Sequence, residues 1–227
     1  MYFQDYCKSK SRTLIMGIIN ITPDSFYDGG KYLVKDKLEG RIKKLKNIDI
    51  IDVGAESSKP GSIPISSTEE IERIKTFIES NPFLDKYYSI DTYKPKVAEY
   101  SLQNGFNMIN DISGGDDIKM FEIAAKYNVP IIIMHMQGKP KTMQKNPKYS
   151  NLIDNIINFF EERLELAKKI GIHPKQIILD PGIGFGKTII HNDMIIKNLR
   201  RFKIFDIPIM VGISRKSFLS INNNQAS

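Results

Sequence analysis

The strongest constraint on the fold is a regular alternation of short apolar segments with longer amphipathic ones. Seven apolar segments have the length and residue types of strands: 13–20, 48–54, 87–91, 106–112, 130–135, 176–180 and 208–213. Six stretches between them repeat apolar residues at helical spacing: about 34–46, 68–80, 95–104, 116–127, 151–170 and 192–202. Strands that alternate with helices form parallel sheets, and near-continuous apolar strands are covered on their outer face.

Local signals define the ends of three of these helices. Ser67 and Thr68 precede two glutamates and provide a cap for the second helix. Pro95 suits the first position of the third helix, where a missing N–H costs nothing. Gly171 follows the long fifth helix and is typical of a helix end.

The strand ends favour a barrel over a Rossmann-like open sheet. Polar residues stand at or just after the carboxyl end of nearly every predicted strand: Asn20, Asp91, Asn110, Asp111, His135, Asp180 and Ser214. In a parallel barrel these ends meet at one rim, whereas an open sheet concentrates its ligand contacts at a switch point. We therefore predict one domain, residues 1–227, with the α/β architecture of a TIM (β/α)8 barrel. The barrel is C-terminally incomplete, with about seven strands, because residues 217–227 show no strand pattern.

Composition excludes several classes of protein. The net charge is +7, but the basic residues are scattered and no nucleic-acid-binding motif accompanies them, so we expect no nucleic-acid partner. The longest apolar runs are too short to cross a bilayer, and the N-terminal residues have no apolar stretch of signal-peptide length. Cys7 is the only cysteine, which excludes a disulfide framework and a cysteine-rich zinc site. We expect a cytoplasmic protein without membrane contact.

Two loops carry groups suited to anions or metals. Asn20 begins a loop that ends in two glycines, and its amide suits a phosphate oxygen or a metal ion. Ser57, Ser58 and Lys59 follow the second strand and provide two hydroxyls and an ammonium for an anion. For each loop an ordinary surface turn explains the residues equally well.

A third set suits a flat heterocycle. Asp91, Asn110 and Asp180 provide acceptors from three strand ends, which match a ring edge carrying N–H and NH2 donors. Lys216 provides a donor for acceptors on the opposite edge of the ring. The alternative for each aspartate taken singly is a cap for the helix that follows it.

The glycine-rich segment 180–187 does not fit a nucleotide-binding loop. Pro181 stands where the first glycine of the phosphate-loop pattern is required. We predict instead a loop that lets Phe185 and the backbone approach a ligand. Met134 is interpreted as lining or packing, and His135 either faces the pocket or packs.

With these segments in hand, the chain resembles the dihydropteroate synthase family of folate biosynthesis. The similar motifs follow one another in the family's order at residues 16–30, 56–61, 89–92, 109–112, 134–138, 180–187 and 212–217. The resemblance implies a barrel transferase that joins a pterin pyrophosphate to 4-aminobenzoate and releases pyrophosphate, with Mg2+. It also implies a homodimer.

The resemblance further implies roles for individual residues. Asn20 falls where the family contacts the metal and the pyrophosphate, and Asn20, Asp91 and Lys216 are the implied catalytic residues. The implied substrate-binding residues are Ser58, Lys59, Asp91, Asn110, Met134, Asp180, Phe185, Arg215 and Lys216. Of these, Asp91, Asn110, Asp180 and Lys216 hold the pterin, and Arg215 shapes the aminobenzoate site. The family usually has Thr-Arg where this chain has Ser58-Lys59, and lysine lacks the planar two-point grip of arginine.

One departure keeps alternatives open. The family's eighth strand carries an Arg-x-His pair that binds an anion, and this sequence has no counterpart. The alternative functions are an inactive truncated remnant and a non-catalytic pterin-binding or assembly subunit. A related methyltetrahydrofolate methyltransferase would share the ring-binding acids, but it would not need segments 22–25 and 214–217.

Overall fold

Six parallel strands form one sheet in which each strand pairs with its neighbours in the sequence. In a computed structural model the strands are β1 Met16–Asn20, β2 Ile50–Gly54, β3 Tyr87–Asp91, β4 Met108–Asp111, β5 Ile131–Met134 and β6 Ile177–Asp180. The structure describes residues 1–22, 47–57, 62–80, 86–139, 142–144 and 146–213, with residues 38, 40, 42, 44 and 45. Within these ranges β1 and β6 do not pair with each other. The predicted incomplete barrel is confirmed as an unclosed sheet.

The seventh predicted strand, 208–213, is wrong as a full strand. The Leu179 N–H donates to Pro208 O at 3.0 Å, and the Met210 N–H donates to Leu179 O at 2.9 Å. These bonds make one parallel bridge between Leu179 and Ile209. Pairing with β6 therefore begins but extends over too few residues to make a strand.

Helices accompany the strands in the order that the pattern predicts. They are α1 Phe3–Ser9, α2 Ser67–Ser80, α3 Pro95–Gln103, α4 Ile118–Tyr127, α5 Leu152–Ile170 and α6 Ile189–Lys197, with 3-10 turns at Pro174–Gln176 and Leu199–Phe205. The predicted helix 34–46 lies largely outside the described residues. No helix in the described part of the chain is long and apolar enough to span a membrane.

The predicted helix ends are confirmed in two places and wrong in two. Pro95 begins α3, and Gly171 ends α5 in the left-handed region at φ +97°. The Ser66 hydroxyl accepts from the Glu69 N–H at the start of α2, one residue before the predicted capping pair. The last helix begins at Ile189 rather than at 192, because Thr188 and the His191 side chain form a reciprocal capping box.

Helix α1 was not predicted, and it closes the amino end of the sheet. Its Phe3 packs with one residue from each of four strands on the inner face, namely Ile50, Met108, Ile132 and Ile178. The Phe3 N–H donates to Gln176 Oε1 at 3.0 Å, and the Phe3 ring meets the edge of Tyr87 at 5.1 Å. The inner face of the sheet therefore has an apolar floor beneath its carboxyl end.

The outer face of the sheet packs under the helices in a larger core. Alternate strand residues such as Ile51, Ile90 and Ile133 belong to this core. They contact helix residues such as Phe77 and Phe160, which are fully buried. Because successive strand residues point to opposite faces, the same strands build both the outer core and the inner face.

We expect Phe3→Ala to lower the free energy of unfolding by about 3 kcal/mol, since it removes a buried aromatic ring and leaves a cavity. Phe3 is 3% exposed. Urea unfolding at one pH measures the change. The exposed Lys8→Ala on the same helix is the control and should change stability by less than about 0.5 kcal/mol. Equal stability of the two variants would show that α1 does not hold the floor.

Candidate functional site

Four residues line up across the carboxyl ends of the first four strands. In the strand register Asn20 lies beside Gly54, Gly54 beside Asp91, and Asp91 beside Asn110. Residues in register across a parallel sheet share one face, so the side chains of Asn20, Asp91 and Asn110 project on the same side. The structure therefore brings together three predicted site residues that lie far apart in the sequence.

Gly54 makes room for two of these side chains. A Cβ atom at Gly54 would lie 3.2 Å from Asp91 Oδ2 and 3.5 Å from Asn20 Oδ1. The first distance is shorter than ordinary van der Waals contact, so a larger residue would push against the carboxylate. The Asp91 carboxylate and the Asn20 amide thus flank a gap that only glycine leaves open.

Asp52 lies one layer below this row and is the most telling residue that the sequence reasoning missed. It is 4% exposed, and its Oδ2 accepts from Asn110 Nδ2 at 3.0 Å. Burial raises the pKa of Asp52 to about 6, although the nearby Ser89 hydroxyl and the Asn110 amide oppose the shift. A charged residue in the otherwise apolar strand 50–54 was the sequence signal that marked it.

Three oxygen atoms beside Asp91 are buried without a hydrogen-bond partner among the described residues. They are Asp52 Oδ1, Asn110 Oδ1 and Ser89 Oγ. A buried polar atom left unpaired costs about 1–3 kcal/mol. The carboxylate and the amide carbonyl among them are acceptors, so a ligand with N–H donors would restore the missing bonds.

Asp91 is the most strongly perturbed acid at the site. Burial raises its pKa well above the usual range, and the nearby carboxylates of Asp52 and Glu70 raise it further. Asp91 does not cap the next helix, since α3 has Lys94 as its N-cap. The alternative of a simple capping role is therefore wrong for Asp91.

The loop after β2 is anchored by an ion-pair cluster beside Asp91. Lys94 Nζ contacts Glu56 Oε2 at 2.5 Å and the buried Glu70 Oε2 at 2.6 Å. Glu56 also accepts from the Tyr93 hydroxyl at 2.7 Å and from the Ile65 N–H at 2.9 Å. Glu56 thereby ties the end of β2 to residue 65.

Asp180 ends β6, and Phe185 belongs to the glycine-rich loop that follows it. Asp180 lies beside Met134 in the strand register, and both residues are buried. The Asp180 carboxylate accepts from the Gly182 N–H at 2.7 Å, which turns the loop back towards the strand. Phe185 is half-buried in this loop.

Four predicted site residues, Ser58, Lys59, Arg215 and Lys216, lie outside the described residues. Their predicted roles stay predictions, and the contact expected between Lys216 and a ring edge is among them. His135 is buried and hydrogen-bonded to Lys187, which favours the packing interpretation over a side chain open to the pocket.

The arrangement combines buried acids, an amide and half-buried apolar side chains at one rim. The acceptors of the site can bind the N–H donors of a flat, polar ring. The acidic side chains can stabilise positive charge on that ring. No Ser-His-Asp or Cys-His set is present among the described site residues. A covalent protein nucleophile is therefore no part of the chemistry that these residues support.

Comparison with known proteins decides the family. A family model described as pterin binding enzyme matches residues 16–227. The chain is 45% identical to the dihydropteroate synthase of Clostridium beijerinckii, over 94% of this chain and 78% of that protein. This chain belongs to the pterin-binding enzyme family.

Solved structures of the family agree with this assignment. A Yersinia pestis dihydropteroate synthase with a sulfonamide drug complex is 37% identical, with a TM-score of 0.85 over 94% of this chain and 79% of that one. A Xanthomonas albilineans dihydropteroate synthase with 4-aminobenzoic acid is 30% identical, with a TM-score of 0.84 over 95% of this chain and 78% of that one. The predicted resemblance to dihydropteroate synthase, a transferase of the barrel type, is confirmed.

The buried acid predicts a pH dependence of stability for this family member. Unfolded Asp52 has a pKa near 3.8 and folded Asp52 one of about 6, so the folded chain binds more protons between these values. The free energy of unfolding contributed by Asp52 should therefore fall as pH rises through this window. We expect Asp52→Asn to flatten the decline, measured by urea unfolding at several pH values. The exposed Glu161→Gln is the control, and an equally steep decline in D52N would contradict the assignment.

Proposed function

We propose that the residues aligned at the carboxyl ends of β1 to β4, together with the buried Asp52, bind a dihydropterin ring for transfer to 4-aminobenzoate. This is the dihydropteroate synthase reaction. The single observation that carries this proposal is the pair of unpartnered buried acceptors, Asp52 Oδ1 and Asn110 Oδ1, beside Asp91. A pterin presents an amino group and a ring N–H along one edge, which are the donors that these acceptors lack.

The reaction needs one C–O bond to break and one C–N bond to form. The diphosphate leaves from the methylene group attached to the pterin ring, and the amine of 4-aminobenzoate attacks the same carbon and loses a proton. Positive charge develops on the ring and methylene as the diphosphate departs. A positive ring beside Asp52 and Asp91 favours the ionised forms of these acids, whose pKa values burial raises, and their negative charge in turn stabilises the ring.

The chain's second contribution is to hold two planar reactants together. The ring is held by Asp91 and Asn110 from neighbouring strands, and the site is closed by Asp180 at the end of β6 and Phe185 in the loop after it. Fixing the amine at attacking distance from the methylene replaces a slow encounter in solution. The proton that the amine loses passes to solvent, so no acid or base of the protein is required, and the acids of the site only accept hydrogen bonds from the ring's N–H groups.

Asn20 fits the role of a Mg2+ ligand that the resemblance implies. Its amide oxygen flanks the Gly54 gap on the side opposite the Asp91 carboxylate, and the residue is exposed at the rim. Among the described residues no cluster of three His, Cys, Asp or Glu side chains could hold a metal alone. Mg2+ usually takes one or two protein oxygens together with substrate phosphates, and bound there it would neutralise charge on the diphosphate.

The remaining roles rest on the sequence. We infer that Ser58, Lys59, Arg215 and Lys216 bind the anionic and aminobenzoate parts of the substrates, as the family motifs imply. A cytoplasmic location and a homodimer are further proposals drawn from the composition and the resemblance.

Turnover by the purified chain tests the proposed function. Pyrophosphate release should require both the pterin diphosphate and 4-aminobenzoate, and it should increase with Mg2+. Isothermal calorimetry with the pterin diphosphate separates binding from turnover. Binding without turnover would support a non-catalytic pterin-binding subunit, and absence of both would support an inactive remnant.

Gly54→Ala should weaken pterin binding, because the added Cβ presses on the Asp91 carboxylate at 3.2 Å. We expect KM for the pterin diphosphate to rise by roughly tenfold, the effect of about 1.4 kcal/mol of lost binding. Steady-state kinetics with 4-aminobenzoate held saturating measures it. Gly40→Ala is the matched control, since a Cβ at that exposed helical position meets nothing within 4 Å. Equal KM values in both variants would contradict the placement of the ring beside Asp91.

A further inference from the structure

A buried lysine joins the loop after β5 to the loop after β6. Lys187 is 3% exposed, and its ammonium donates to His135 O at 3.1 Å and to Phe185 O at 2.9 Å. The same Nζ lies 3.0 Å from His135 Nδ1. These three acceptors match the three hydrogens of an ammonium group. Burying a lysine in this way is costly, which suggests that the contacts serve more than packing.

The contact with Lys187 fixes the tautomer of His135. An ammonium can only donate, so Nδ1 accepts and the ring proton is carried on Nε2. Burial, together with the nearby charge of Lys187, lowers the pKa of His135 to about 3. The ring also stands edge-on against Phe159 with centroids 5.1 Å apart. His135 is thus a neutral, fixed acceptor for the lysine.

The backbones of the two loops touch where the lysine joins them. A Cβ at Gly182 would lie 1.9 Å from His135 O, and one at Gly186 would lie 2.7 Å from Gln137 O. The His135 N–H donates to Asp180 O at 2.9 Å and continues the pairing of β5 with β6. The loop after β6 therefore rests directly on the loop after β5 at both of its ends.

Asp180 and Phe185 lie between these anchors. The Asp180 carboxylate is set by the Gly182 N–H at 2.7 Å, and Gly182 in turn packs on His135 O. Phe185 has its own carbonyl oxygen bound by Lys187. Both residues that face the proposed pterin from this loop are thus positioned through the lysine and its histidine partner.

We propose that Lys187 is a positioning residue for the pterin half of the site, holding Asp180 and Phe185 against the ring through its bonds to His135 and Phe185. This role rests on the proposed function. Lys187 does not touch the substrate in this assignment, and the aminobenzoate half of the site does not depend on it. Loss of Lys187 should therefore change the KM for the pterin diphosphate and leave the KM for 4-aminobenzoate nearly unchanged.

Steady-state kinetics of Lys187→Met tests the separation, because methionine keeps the length of the side chain and removes all three donors. We expect KM for the pterin diphosphate to rise by roughly tenfold, with KM for 4-aminobenzoate changed by less than about twofold. Lys187→Arg keeps the charge and the donors and should recover part of the pterin KM. Lys197→Met is the control, since Lys197 is exposed and pairs with Asp193 at 2.6 Å on the surface of α6.

The outcomes distinguish this role from others. A parallel rise of both KM values, or a fall in the amount of folded enzyme alone, would show a general structural role and overturn the proposal. Unchanged values in K187M would also overturn it. If the unsubstituted chain neither binds nor turns over pterin diphosphate, the proposed function itself fails. That result differs from an active unsubstituted chain whose K187M variant does not show the expected change in KM.

Nitrogen NMR of the unsubstituted chain tests the contact without any variant. The His135 ring should carry its proton on Nε2, with Nδ1 unprotonated, and should not titrate between about pH 5 and pH 8, whereas an ordinary histidine titrates near pH 6.5. A proton on Nδ1, or a titration in that range, would show that Lys187 does not hold the ring, and would overturn the proposal even if K187M failed to fold.

Discussion

The site depends on burying polar side chains in the inner face of a parallel sheet. Asp52 and Asn110 come from β2 and β4, and one hydrogen bond joins them across the intervening strand. This bond uses the Asn110 Nδ2 and the Asp52 Oδ2, and it leaves Asn110 Oδ1 and Asp52 Oδ1 without a partner among the described residues. Pairing polar groups with each other costs less than leaving both bare, yet it leaves acceptors directed at the place where a ligand would lie. The unpaired acceptors lower the stability of the folded chain at the position where a ligand would bind to them.

The rest of the inner face offsets this penalty. Below the polar layer, Ile50, Met108, Ile132 and Ile178 form an apolar floor, and α1 closes it from outside. The outer face of the same strands packs under the helices in the larger core. Each strand therefore contributes apolar residues to two cores and polar residues to one rim, which is how parallel barrels keep activity at the carboxyl end and stability elsewhere.

Two lysines organise the loops at this rim in similar ways. Lys94 joins the loop after β2 to α2 through Glu56 and Glu70, and its partners are carboxylates. Lys187 joins the loops after β5 and β6 through backbone oxygens and a neutral imidazole. Both ammonium groups are largely buried, so neither loop end is free to move independently of the sheet. Loops that carry function are held by a few strong contacts to a rigid scaffold.

The amino-acid pattern alone was enough to predict the order of strands and helices and the polar character of the rim. Apolar runs such as 87–91, ended by Asp91, identify a strand and the carboxyl end where ligands bind, because both signals are local. Sequence reasoning placed Asn20, Asp91, Asn110 and Asp180 at that rim, and the family motifs named the chemistry. It missed α1, whose seven residues carry no long periodic pattern, and it overextended the seventh strand, whose pairing depends on a partner rather than on its own residues.

Which polar groups meet depends on the folded chain and not on any local pattern. The register that sets Asn20 beside Gly54 and Asp91 beside Asn110 joins residues from four separate strands. The burial that leaves acceptors of Asp52 and Asn110 unpaired, and the contact that makes His135 an acceptor for Lys187, arise from packing between distant segments. Local sequence cannot encode these distances, because desolvation and hydrogen bonding depend on neighbours that only the folded chain brings together.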